Sequence, residues 1–274
     1  MSDWQSGFVS TNGIRMHYWR TGAGDKTPVV LSHGATDNGL CWSRTARALE
    51  ADYDVIMVDA RGHGLSDKPE TDYGPRQSGA DLAGLIRGLG LERPHLVGHS
   101  MGGEISSNCV VDHPGIARSL VVLDSGFISN AGRFRGSAEG AADRIAASRE
   151  GVLRMRALGT EGLLAQLDQE SPNWHEEERG PWAESKLQVS TDYGRFFAQD
   201  KRPWQEIFAA IDCPMLLMVA EPHLDSHTQW EAAVQATGIW REGSLVHIAG
   251  AGHNLQRDRY EIFMSRLTGW LSGH

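Results

Sequence analysis

One stretch restricts the folds open to this chain more than any other: Gly98-His99-Ser100-Met101-Gly102-Gly103, a G-x-S-x-G sequence. It directly follows the apolar run Pro94-His95-Leu96-Val97 and directly precedes a helical pattern. A strand that turns sharply into a helix leaves the serine at the turn exposed at the top of a parallel sheet. Side chains at 98 or 102 would crowd that crossing, and the serine is driven toward backbone angles that cost about 1–3 kcal/mol. A pentapeptide is a short signal, so the rest of the chain has to supply the parallel sheet around it.

It does so in order. Gly7 to Ser10, an Asn12-Gly13 turn and Ile14 to Trp19 read as a hairpin, the second strand alternating as a half-solvated strand does. Val29-Val30-Leu31-Ser32-His33, Val55-Ile56-Met57-Val58-Asp59 and Leu96-Val97-Gly98-His99 are continuous apolar runs, the pattern of strands buried on both faces. Ser119 to Leu123, Met215 to Val219 and Ser244 to Ile248 continue the series. Helix-length segments lie between them. Leu82, Leu85, Ile86 and Leu89 form one stripe before Gly90, Glu104 to Asp112 is helical, and Phe263, Leu267, Trp270 and Leu271 form the stripe of a last helix. Such alternation implies right-handed crossovers in a doubly wound sheet, with functional loops at the C-terminal ends of its strands.

From Phe127 to Arg202 the apolar strand runs disappear. Ala141 to Leu158 and Glu161 to Asp168 read as two helices, followed by a polar stretch with Trp174 and Trp182. Phe127, Phe134, Trp174, Trp182, Tyr193, Phe196, Phe197 and Trp204 are more aromatics than an outward-facing layer holds, so the segment is expected to cover the sheet as a cap.

The formal charge of −9 and the lack of any basic run argue against nucleic acid and anionic membrane as partners. No window reaches the roughly 18 apolar residues of a membrane span, and the first residues lack a leader pattern. The three cysteines, Cys41, Cys109 and Cys213, are widely spaced and fit reduced buried thiols. A cytoplasmic protein is expected, with a small-molecule substrate as its partner; a homo-oligomer is compatible with the sequence. No Cys/His metal spacing occurs, and neither a metal nor an organic cofactor is implied.

Four landmarks give the chain a resemblance to the α/β-hydrolase fold family, running from about Gly7 to Leu271. His33-Gly34-Ala35-Thr36 resembles the family's oxyanion loop, and Asp59-Ala60-Arg61-Gly62-His63-Gly64-Leu65-Ser66-Asp67 its D-x-R-G-x-G-x-S turn. Gly98 to Gly103 matches the nucleophile elbow, and Gly250-Ala251-Gly252-His253 the loop that supplies a histidine. The resemblance implies an α/β fold with a mostly parallel, doubly wound eight-stranded sheet. The core would comprise residues 1–126 and 203–274, with a helical cap inserted at 127–202.

It also implies a chemistry. Ser100 needs a base, and His253 is the candidate. His33 is read as shaping the oxyanion loop, while His99 points the wrong way from the elbow to serve its neighbour. His17, His63, His95, His113, His175 and His247 have structural readings. Oxyanion donors are implied at the backbone N–H groups of Ala35 and Met101. The acid departs from the family pattern. Val219-Ala220-Glu221-Pro222-His223-Leu224-Asp225 has His223 where an aspartate usually stands, leaving Asp124, Asp225 and Glu221 as alternatives. Asp124 is preferred because it directly ends an apolar strand and some relatives place the acid there. The expected function is hydrolysis of a carboxylic ester or lactone through an acyl-enzyme, with Trp174 and Trp182 holding the apolar part of the substrate. A C–C bond hydrolase, a cofactor-free perhydrolase, and a slow-turnover binding or signalling protein are the alternatives. Serine at the elbow argues against the dehalogenase and epoxide-hydrolase branches, which carry aspartate there.

Overall fold

The structure, a computed structural model, describes residues 4–22, 24–130 and 140–274. An eight-stranded sheet runs through it in the order β1-β2-β4-β3-β5-β6-β7-β8. The hairpin β1 (Gln5–Thr11) and β2 (Ile14–Thr21) pairs antiparallel, with Thr11 opposite Ile14 across the Asn12-Gly13 turn. β2 also pairs antiparallel with β4 (Asp54–Val58). Every later pairing is parallel, through β3 (Pro28–Ser32), β5 (His95–His99), β6 (Ser119–Leu123), β7 (Met215–Val219) and β8 (Gly243–His247).

The continuous apolar runs of β3 to β7 follow from burial on both faces; β8, read from the sequence in the same series, lies at the sheet edge and is half-buried to exposed instead. Val30, Ile56, Leu96, Leu120 and Leu217 enter one core, while Val29, Leu31, Val55, Met57, Val97, Val121 and Leu216 enter the other. Successive residues of one strand thus serve opposite layers, so a polar side chain at either position needs a partner, as His95 and Ser119 find in each other at 2.8 Å. The first core is closed by α2 (Pro75–Gly88) and α3 (Met101–Asp112), the second by α1 (Ser43–Leu49) and α9 (Tyr260–Gly273). In α9 Phe263, Leu267 and Leu271 are buried as their spacing predicts, with Met264 beside them. Trp270 is only half-buried, and its indole N–H reaches Ser119 Oγ at 3.1 Å.

Between β6 and β7 lie α4 (Ala141–Glu170), α5 (Glu176–Gln188) and a 3-10 segment (Tyr193–Ala198), and α6 (Trp204–Ala210) leads back into the sheet. The two expected helices are present within α4 and meet at a kink: Gly159 stands at φ 62°, ψ −177°, a non-helical conformation open to glycine at little cost. Phe134 lies outside the described residues. α5 is tied to the loop after β3, where Asn38 Nδ2 donates to Gln188 Oε1 at 3.0 Å and Lys186 Nζ to Asp37 Oδ1 at 2.5 Å. After β7 come α7 (Trp230–Ala236) and, beyond β8, the short α8 (Leu255–Asp258). No helix among the described residues is long and apolar enough to cross a membrane. All three cysteines are buried and free; burial pushes the Cys41 thiol up to about 11 and those of Cys109 and Cys213 up to about 12, far from nucleophilic use.

Candidate active site

β5 ends at His99 and α3 begins at Met101, so Ser100 alone makes the turn, at φ 53°, ψ −115°. This is a left-handed conformation that a residue with a side chain adopts only when its surroundings hold it there. They do: Ser100 N–H donates to the Leu123 carbonyl of β6, and its own carbonyl accepts from Ser125 Oγ and Gly103 N–H. A Cβ on Gly102 would run into the Ser32 carbonyl of β3, which explains the glycine one turn into the crossing.

His253 stands in the loop between β8 and α8. Its Nε2 lies 3.0 Å from Ser100 Oγ and its Nδ1 lies 2.7 Å from Asp124 Oδ2. A carboxylate can only accept, so Nδ1 carries the proton and Nε2 is left as the acceptor for the serine hydroxyl. Asp124 directly follows β6, itself at φ 38°, and is fully buried. Its Oδ2 also accepts from His227 N–H at 2.8 Å, and its Oδ1 from Ser226 Oγ at 2.7 Å and Thr228 N–H at 3.2 Å. Burial alone would push this carboxyl up. The hydrogen bond and charge of His253, with the His227 and Ser226 donors, outweigh it and hold the carboxyl below its usual range.

The other acid candidates sit elsewhere. Asp225 is exposed in a turn at φ 66°, and Glu221 faces His247 Nε2 at 3.3 Å and His223 Nδ1 at 3.4 Å. The loop after β7 therefore supplies the donors around the carboxylate of Asp124 rather than a carboxylate of its own. Ser226, His227 and Thr228 were invisible to motif reasoning; the vacant aspartate position was the available signal that this loop had another task. His227 also stacks on His253, ring centroids 3.5 Å apart, which limits the room for the imidazole to turn.

The loop after β3 is set by His33. Its Nε2 accepts from Ala60 N–H at 3.1 Å, so Nδ1 carries the proton and donates to the Gly34 carbonyl at 2.7 Å. In a trans peptide N–H and C=O point opposite ways, so pulling the Gly34 carbonyl toward His33 turns the Ala35 N–H away from it. Gly34 itself has no room for a side chain, since a Cβ would sit 2.8 Å from His99 Nδ1. Asp59 staples this region from below, accepting from His17 Nδ1, Gly39 N–H and Leu65 N–H at 2.7–2.9 Å. His99 donates from Nε2 to the His253 carbonyl at 2.9 Å and does not serve the serine.

Ser100, His253, Ala35 and Met101 line a cavity of about 680 Å³ beneath α4 and α5. Trp182, Phe127, Tyr193 and Phe197 contribute its aromatic wall. Trp174, expected there with Trp182, is one layer back. It meets Trp182 edge to face at 6.2 Å, and its indole N–H donates to Asp258 Oδ1 at 2.9 Å, so the polar atom anchors it away from the cavity. Trp204 and Phe196 are core residues of the sheet's first layer.

Three buried histidines give the protein a sharp acid limit. Burial pushes His63 and His99 down to about 3 and His95 down to about 4. Their unfolded forms protonate near pH 6.5, so the unfolded chain binds more protons between pH 6.5 and 4 and stability falls as pH falls. These three histidines are expected to contribute about three protons to the uptake on unfolding at pH 5, with His33, likewise pushed down by burial, adding to it and the raised carboxyls of Asp81, Glu104 and Glu178 subtracting, and the melting temperature is expected to drop from pH 7 to 5. Calorimetry across that range checks this; a constant melting temperature would contradict it.

The chain matches the alpha/beta hydrolase family over residues 29–265. It is 39% identical over 120 residues to the N-formylmaleamate deformylase of Pseudomonas putida, a match covering 43% of this chain and 44% of the relative, less than half its length. It is 23% identical over 297 aligned positions to epoxide hydrolase 1 of Caenorhabditis elegans, covering 99% of this chain and 71% of that one. Among solved structures, E-2-(acetamidomethylene)succinate hydrolase superposes with a TM-score of 0.76 at 24% identity, covering 98% of this chain and 99% of the other. A family match spanning most of the chain, on the sheet order and elbow described above, leaves one conclusion: the protein belongs to the alpha/beta hydrolase family.

Proposed function

We propose that the protein is a serine hydrolase that cleaves a carboxylic ester or lactone through an acyl-enzyme on Ser100. The observation that carries this reading is the hydrogen-bonded line from Ser100 Oγ through His253 to Asp124, with links of 3.0 and 2.7 Å. His253 Nε2 takes the hydroxyl proton as Oγ attacks the carbonyl carbon, and Asp124 stabilises the imidazolium that forms. The carbonyl oxygen becomes an oxyanion, met by the N–H groups of Ala35 and Met101. Met101 opens the twelve-residue α3, where unsatisfied N–H groups and the helix dipole favour negative charge. His253 then returns its proton to the leaving oxygen, and water attacks the acyl-enzyme by the reverse route. The epoxide-hydrolase relative does not shift this reading, because the elbow here carries serine.

A second reading, cleavage of an acyl–nitrogen bond by the same residues, is favoured by the similarity to the N-formylmaleamate deformylase. Esters and amides of one acyl chain, compared at equal concentration, separate the two. Under either reading kcat/KM rises with pH as one histidine loses its proton, and then levels. A rate independent of pH, with chemistry limiting, would contradict the role of His253.

The aromatic wall contributes contacts that ground and transition states share. Trp182→Ala is expected to raise KM for an apolar ester about tenfold while kcat stays within about threefold. Trp174→Ala, one layer back, is expected to lower the melting temperature more than it changes KM. An unchanged KM in Trp182→Ala would remove that indole from the substrate's path.

A further inference from the structure

The cavity wall is largely apolar, yet it holds an ion pair one helical turn from the nucleophile. Glu104 lies four residues after Ser100 on α3, and its N–H reaches the Ser100 carbonyl at 3.3 Å, which places the two residues roughly 5–6 Å apart along the helix. Its Oε2 accepts from Lys201 Nζ at 2.6 Å; the two side chains are 4% and 7% exposed, and both residues line the cavity. The ammonium is flanked by the rings of Phe196 and Phe197 at 5.2 and 5.3 Å.

Stability gives little reason for such a pair. A buried ion pair surrounded by apolar groups can usually be replaced by hydrophobic side chains at no loss, and often with a gain. An ammonium carries three donors and a carboxylate about four acceptor positions, and the bond between Lys201 and Glu104 uses one of each. Both residues line the cavity, so its wall sets a donor beside an acceptor. A carboxylate on the substrate would compete with Glu104 for Lys201 and meet its charge. A neutral group with both a C=O and an N–H satisfies the two at once.

On the reading of Ser100 as nucleophile, we propose that Lys201 and Glu104 form a substrate subsite for a neutral amide group carried about one helical turn from the scissile carbonyl. Lys201 donates to the amide oxygen and Glu104 accepts from its N–H. This makes the pair specificity-determining. A site built to hydrogen-bond a polar group rejects an analogue without it far more strongly than an apolar pocket rejects a misfitting methylene.

The test uses p-nitrophenyl esters whose acyl chains, matched in length from four to six carbons, end in methyl, in primary amide or in carboxylate. The same three ends are placed on the alcohol side in a second series. Wild type is compared with the double variant Glu104→Leu, Lys201→Met, which replaces the pair by apolar groups of similar size and keeps the wall packed. In one series the wild-type kcat/KM is expected to favour amide over methyl and over carboxylate. The amide-to-methyl ratio should fall at least tenfold in the double variant. An unchanged ratio in a folded double variant would overturn the proposal, as would a wild-type preference for carboxylate. Binding is read independently of turnover by titrating Ser100→Ala protein with valeramide and with valerate, following amide NMR shifts. Valeramide shifts lost on adding Lys201→Met support the subsite even if no ester is cleaved, in which case the serine-hydrolase reading fails by itself. Valeramide shifts that persist with Lys201→Met count against the subsite.

Discussion

Ser100→Ala is expected to lower ester turnover by about 10⁴-fold or more while the protein stays folded. Under the proposed mechanism only the attacking oxygen is lost, and the residual rate would be that left by the oxyanion donors and binding alone. Stability should move little, and its sign is informative. Ser100 sits at φ 53°, and alanine has the same Cβ, so the strain of the turn remains. The backbone bonds to Leu123 and from Ser125 also remain. Steady-state kinetics with thermal melting checks both halves; more than a tenth of wild-type turnover in the variant would remove Ser100 from the chemistry.

Asp124→Asn carries the second large effect, and the cradle around the carboxylate determines its form. Asp124 faces donors on both oxygens: His253 Nδ1 and His227 N–H on Oδ2, Ser226 Oγ and Thr228 N–H on Oδ1. An asparagine has one acceptor oxygen and an NH₂ group. With the NH₂ toward His253, Nδ1 becomes an acceptor and Nε2 carries the proton, the tautomer that cannot take one from Ser100. With the NH₂ the other way, Thr228 N–H meets a donor, at a cost of about 1–3 kcal/mol, and the imidazolium still loses its counter-charge. Either way kcat is expected to fall about 10³–10⁴-fold. The cradle adds an expectation that the aspartate alone does not suggest: a lower melting temperature. Asp225→Asn and Glu221→Gln should each stay within about tenfold of wild type. An active Asp124→Asn beside an inert Asp225→Asn would move the acid to the loop after β7.

Much of this arrangement was legible in the chain because it is local. Apolar runs of five residues specify strands, buried in β3 to β7 and half-exposed only at the edge strand β8, and the elbow glycines are dictated by the close approach of backbone at the strand–turn–helix crossing. The four loop landmarks follow strands, so their order along the chain became their proximity at one end of the sheet. What escaped was non-local or depended on side-chain direction. Nothing in the order of residues brings Asp37 to Lys186 and Arg257, at 2.5 and 2.8 Å across separations of 149 and 220 residues. The same holds for Lys201 and Glu104. Trp174 and Trp182 are eight residues apart and equally aromatic; the hydrogen bond to Asp258 and the Arg257 guanidinium over its ring, both contacts distant in sequence, hold Trp174 back from the cavity. Ser226, His227 and Thr228 act mainly through backbone N–H groups and a hydroxyl, which a sequence advertises poorly. α4 shows the reverse case. Its helical pattern was plain, and the glycine at 159 that divides it in sequence also divides it in space, interrupting the helix with a non-helical φ and ψ.

Covalent labelling tests most directly whether Ser100 attacks the substrate. The protein is incubated with a fluorophosphonate, its intact mass is measured, and the modified peptide is sequenced by mass spectrometry. One adduct per chain is expected on Ser100, absent from Ser100→Ala and formed far more slowly in His253→Ala, with ester turnover lost in step with labelling. Labelling at another residue, or ester turnover that survives complete modification of Ser100, would contradict it.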